Sequence, residues 1–139
     1  MAAKVIFHTV KDPQAKLDFI CQRAEEAMRQ EERLLIAVPN DEAAQYIDAL
    51  LWRQPETSFI PHIITQGATK VWVAITSKTD HNFNQAHTLL NLCSETHPRY
   101  AEFQIVFELD DQTHPQKSVL SQQRRSYYEA KGIQTHHLG

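Results

Sequence analysis

The chain has 139 residues, 42% of them hydrophobic and 22% charged, with three glycines, six prolines and a formal net charge of −3. That size suits a single domain spanning residues 1–139, and that composition excludes a disordered, low-complexity or collagen-like chain. No run approaches the roughly 18 apolar residues of a membrane span. The N-terminal MAAKVIFHTVKD lacks the apolar centre of a signal peptide, so a cytoplasmic protein that meets no membrane is expected.

Lys4 to His8 reads as a short strand. Asp12-Pro13 then opens a helix, a cap followed by proline in the first turn. Leu17, Ile20, Cys21, Ala24, Ala27 and Met28 recur at helical spacing along one face, and Glu31-Glu32 ends the pattern. Leu34 to Val38 is a continuous apolar run, as expected of a strand buried on both faces. Asn40 caps a second helix, with Asp41 and Glu42 in the first turn, where carboxylates are favoured. Ala43, Ala44, Ile47, Leu50 and Leu51 supply its apolar stripe.

Lys70 to Ile75 is a further strand, and Thr76 to Asn84 is a polar loop. Thr88 to Cys93 fits a strand or a helix equally well. Phe103 to Leu109 reads as a strand broken by Asp110-Asp111. A last helix runs from about Pro115 to Lys131 and stops at Gly132, the residue most often found just past a helix end. His136-His137 falls at a frayed terminus. The early β-α-β-α-β order predicts an α/β fold, Rossmann-like, with a mostly parallel sheet flanked by helices.

Such folds often hold nucleotides at the carboxyl ends of their strands. The first turn, His8 to Pro13, contains no glycine, so its backbone cannot close around a pyrophosphate. The second turn, Pro39 to Glu42, sets carboxylates where phosphate would sit. Eight histidines raise the question of a metal, but no HExxH and no Cys/His quartet appears, so none is expected. Cys21 and Cys93 form no CxxC pair and are expected as buried free thiols. No catalytic constellation emerges, and no cofactor is implied. Asp110-Asp111 lacks an acid-base partner in sequence. A small nucleotide- or metal-dependent enzyme on the same fold is the alternative reading.

Charge is unevenly spread. Residues 112–139 carry Lys117, Arg124, Arg125 and Lys131 against Glu129 alone, a net +3, so the remainder sums to −6. A basic end suits an acidic partner. Residues 50–65, LLWRQPETSFIPHIIT, place Trp52, Pro55, Phe59, Pro61 and His62 in one connection. Each proline pushes its predecessor toward extended conformations, which stiffens the segment. Aromatics on a stiff frame lose little entropy on binding and are enriched at hot spots, although plugging the core edge would suit them equally.

Leu34 to His62, LLIAVPNDEAAQYIDALLWRQPETSFIPH, resembles the chi subunit of bacterial DNA polymerase III, a clamp-loader accessory subunit. The resemblance rests on Leu-Trp at a helix end, a Pro-containing link and Ser-Phe-x-Pro-His, and it extends over the chain in length and element order. It implies a non-catalytic subunit of the holoenzyme that joins a psi-like subunit, or a helicase, to the acidic, apolar-ended C-terminal tail of single-stranded-DNA-binding protein. It places the psi or helicase contact on Trp52 and Phe59, with Pro55, Pro61 and His62 holding the segment. It places the tail contact on the last helix, at Arg124, Arg125, Tyr127, Tyr128 and Lys131. Here Gln122 replaces a usual arginine of the family pattern, Arg125 a tyrosine and Ser126 a basic residue. Arg124 and Tyr127, three apart, offer a shifted Arg-Tyr pair. DNA would be reached only indirectly, because a net charge of −3 disfavours direct binding.

Overall fold

The computed structural model describes residues 4–53 and 60–138. Strands β1 (Lys4–Val10), β2 (Leu34–Ala37), β3 (His62–Ile64), β4 (Val73–Thr76), β5 (Thr88–Asn91), β6 (Ile105–Asp111) and β7 (Thr135–Leu138) form one sheet in the order β3-β4-β2-β5-β6-β1-β7. Every pairing is parallel. Three helices flank it: α1 (Pro13–Gln30), α2 (Asp41–Trp52) and α3 (Pro115–Ala130). This is the expected Rossmann-like α/β arrangement.

Strand β2 explains the layering. Its four residues are fully or almost fully buried, and successive side chains point to opposite faces. Leu34 and Ile36 join Phe19, Ile20 and Ala24 of α1 and Ala44, Ile47 and Leu51 of α2 in one core. Leu35 and Ala37 join Val5, Phe7, Leu89, Val106 and Tyr128 of α3 in the other. Truncating Leu35 to alanine would cost about 2–5 kcal/mol, the usual penalty for such a cavity.

The helix ends follow local chemistry. The Asp12 carboxylate accepts the Ala15 N–H at 2.8 Å, and Asn40 does the same for Ala43 at 2.8 Å. Helix α1 ends as Glu31 turns left-handed at φ 55°. Helix α3 ends ahead of Gly132, whose φ of 76° is open to glycine at no steric cost.

Several expectations need correction. Asp110 and Asp111 do not break β6; they are its last two residues and are buried. Partners both distant and two residues away allow this. Asp111 meets Lys16 at 3.1 Å and the Thr113 hydroxyl at 2.6 Å, and its N–H donates to Ser121. Asp110 accepts from Thr9 and Gln112. His136 and His137 are not frayed: they lie in β7, which pairs with β1 from Val5 to His8. The strand expected at 70–75 begins only at Val73, and the one expected at 103–109 runs from Ile105 to Asp111. Phe103 instead closes a 3-10 turn, Tyr100–Glu102, and is buried there. The ambiguous segment is strand β5. Cys21 and Cys93 are free but only half-buried. Burial still pushes both thiols up, Cys93 to about 11, so neither is a ready nucleophile.

Candidate protein-docking surfaces

Two regions carry the expected partner residues. The first is the sheet edge where α2 meets β3. Trp52, the last residue of α2, is 57% exposed, and its ring lies 4.8 Å from that of His62. The His62 side chain is almost wholly buried. Its Nδ1 donates to the Ile60 carbonyl at 2.7 Å, and its Nε2 lies 3.2 Å from the Asp48 carboxylate of α2. His62 therefore lies between helix and strand and backs the indole. Pro61 sits between buried Ile60 and His62 and is half-buried. Ile63 and Ile64 of the edge strand are exposed, extending the apolar surface beyond Trp52. An edge strand with two exposed isoleucines and no charge is a surface that natural proteins usually cover. Pro55 and Phe59 lie outside the described residues.

The second region is α3. Ser121, Arg124 and Tyr128 form its buried stripe. Three donors converge there on Glu108 of β6, which is fully buried. Arg124 Nε donates to Oε1 at 2.9 Å; Asn91 Nδ2 and the Tyr128 hydroxyl donate to Oε2 at 2.9 and 2.6 Å. The other Arg124 nitrogens reach the Ser94 and Leu109 carbonyls and the Ser121 hydroxyl. Burial pushes the Glu108 carboxyl up, and Arg124, Asn91 and Tyr128 pull it back. Burial, then the neighbouring Glu108, pushes the Tyr128 phenol up, so it remains a donor. Arg124 and Tyr128 are thus an internal frame. They do not meet solvent as free recognition groups.

Tyr127 and Lys131 are exposed, and Arg125 is half-buried. Arg125 bonds His137 at 3.2 Å, and its guanidinium lies over the Phe7 ring, 5.9 Å from its centre. Tyr127 is 42% exposed, packs edge-on to Tyr100 at 6.2 Å, and carries the Lys131 ammonium 5.5 Å from its ring. Arg124 shares its site with Tyr128 through Glu108, while Tyr127 turns toward Tyr100. The network's anchor, Glu108, was not singled out in the sequence. Its signal was there: one acid inside Ile-Val-Phe-Glu-Leu needs buried donors, and an Arg and Tyr four apart on a helix can supply them.

The crevice above the sheet bears on the enzymatic alternative. The first turns of α1, α2 and α3 are capped by Asp12, Asn40 and His114, whose side chains take the amides a phosphate would use. Among the described residues, no three His, Cys, Asp or Glu side chains are grouped to hold a metal ion. No helix among them is long and apolar enough to cross a membrane.

No curated protein matches the chain. The family described as the DNA polymerase III chi subunit, HolC, matches residues 2–136, nearly the entire sequence. With its parallel sheet, its self-capped crevice and its exposed tryptophan edge, the chain belongs to the family of chi accessory subunits of DNA polymerase III.

Proposed function

We propose that this protein is a cytoplasmic, non-catalytic adaptor of the DNA polymerase III holoenzyme, joining a clamp-loader partner to single-stranded-DNA-binding protein. The observation that carries the reading is Trp52, 57% exposed at a helix end and backed by the buried His62. A large indole in water beside an apolar strand edge is costly unless a partner covers it. A psi-like subunit, or a helicase using the same anchor, is that partner. Trp52 and Phe59 supply the contact, and Pro55, Pro61 and His62 keep the segment in shape.

The second contact takes the acidic, apolar-ended tail of single-stranded-DNA-binding protein. The cationic C-terminal region supports it. Exposed Tyr127 and Lys131 and half-buried Arg125 are its accessible groups, while Arg124 and Tyr128 hold α3 in place through Glu108. Gln122, Arg125 and Ser126 depart from the family's basic pattern, so the tail contact is altered here. Affinity capture from the native host tests the reading. Recovery of clamp-loader or helicase subunits with single-stranded-DNA-binding protein supports it. Recovery of neither, together with a large specific thermal shift on adding nucleotide or divalent metal, would return the enzymatic alternative.

A further inference from the structure

Beside the edge strand β7, side chains from α3, β7, β1 and β6 form a single run of hydrogen bonds. Arg125 Nη1 of α3 lies 3.2 Å from Nδ1 of His137 in β7. His137 Nε2 lies 2.6 Å from the Thr9 hydroxyl of β1, which donates to Asp110 Oδ2 of β6 at 3.3 Å. The run has one direction. A guanidinium only donates, so Nδ1 accepts from Arg125, and His137 is neutral with its proton on Nε2. Nε2 donates to Thr9, and the Thr9 proton goes on to Asp110. Asp110 Oδ2 is also 3.6 Å from Nε2, and Asp110 Oδ1 is buried with no hydrogen-bond partner among the described residues.

We infer that His137 is a proton-operated switch: neutral, it holds Arg125; charged, it releases Arg125 and turns to Asp110. A proton on Nδ1 sets a donor against a donor and a cation against a cation, 3.2 Å apart. Arg125 then swings away, and Glu129 is on hand, with Oε2 already 3.9 Å from Arg125 Nε on the same helix. Nε2 keeps its proton and closes on Asp110, which has an oxygen to spare. One partner replaces another, so β7 stays paired with β1 while the guanidinium is freed. The remaining ionisable neighbours do not intervene. His8 of β1 stacks on Phe19 at 4.1 Å; burial, then Arg23 and His137, lowers its pKa, so it stays neutral in mild acid. His136 alternates to the opposite face of β7. An anionic partner of α3 would therefore meet a free Arg125 in acid and an engaged one in base. The switch itself stands on these side chains and on no partner.

The test is side-chain nitrogen NMR on the uniformly labelled full chain from about pH 8 to about pH 5, the span over which histidines change charge. At the upper end His137 should be the Nε2–H tautomer, and the Arg125 guanidinium should show the slowed rotation and proton exchange of a bonded group. As His137 takes up its proton, the Arg125 signals should collapse in step to those of a free guanidinium. Amide exchange in β7, corrected for its intrinsic pH dependence, should change by less than about threefold relative to β1. In His137→Asn, Oδ1 stands near the place of Nδ1 and stays an acceptor at either pH, so Arg125 should remain held throughout. The wild-type titration decides the matter even if that variant folds poorly. An Nδ1–H tautomer at the upper end overturns the switch. So do Arg125 signals that ignore the charging of His137, or that still change in a folded His137→Asn variant. Loss of β7 protection together with the Arg125 contact means that the whole strand opens, and overturns the exchange of partners.

Discussion

Tyr128 and Trp52 are both large aromatics in the last turn of a helix, yet Tyr128 is fully buried and Trp52 is 57% exposed. What lies beneath each explains the difference. Under α3 the central strand β6 places Glu108, an acid with no access to water, and Tyr128 and Arg124 are drawn inward to satisfy it. Under the end of α2 lies an edge strand whose histidine is bonded to the Ile60 carbonyl and stands beside Asp48. The indole rests on that histidine ring and keeps its outer face in water. A charged residue on a helix is therefore no guide to a binding surface, and an aromatic is no guide to the core. The neighbouring strand decides.

Breaking the α3 side should have the largest effect. Arg124→Ala leaves Glu108 buried beside only two neutral donors, and stability should fall by about 3–5 kcal/mol in urea denaturation. The double variant Arg124→Met with Glu108→Leu should recover most of that loss, because it removes the buried charge with its partner. Tyr128→Phe keeps the ring against Phe7 and Tyr100 but removes a hydrogen bond to a carboxylate, costing about 1.5–3 kcal/mol in the same assay. On the other side, Trp52→Ala should cost less than about 1 kcal/mol of stability while weakening the clamp-loader partner by about 2 kcal/mol, near thirtyfold.

The smallest effect is a pH slope at a third aromatic, His97, buried against Phe103. Burial lowers its pKa from the ordinary 6.5 to about 4. Between those values the unfolded chain takes up a proton that the folded chain refuses. Stability is thus full above about pH 6.5 and falls as pH drops toward 4. Urea midpoints measured across that range should show the slope, and His97→Gln should lose this component of it.

Much of the framework was legible because it is local. Asp12 and Asn40 announce their helices through chemistry spanning three residues, and the unbroken apolar run at 34–38 reads as a strand buried on both faces, which β2 is. The errors share a cause of the opposite kind. Asp110 and Asp111 looked like a stop because three of their partners, Thr9, Lys16 and Ser121, are distant in sequence. His136 and His137 looked frayed because β7 exists only by pairing with β1. Arg124 looked like a surface cation because nothing nearby in sequence names Glu108 as its counterion. The run of hydrogen bonds from Arg125 through His137 and Thr9 to Asp110 draws on α3, β7, β1 and β6, so no local pattern could disclose it.

The most direct measurement is a calorimetric titration of the host's psi-like subunit, or the clamp-loader or helicase subunit captured in its place, into wild-type protein and into Trp52→Ala. The account predicts a Kd raised about thirtyfold by the substitution, with the melting temperature shifted by no more than a few degrees. An unchanged Kd in a folded Trp52→Ala variant would contradict it.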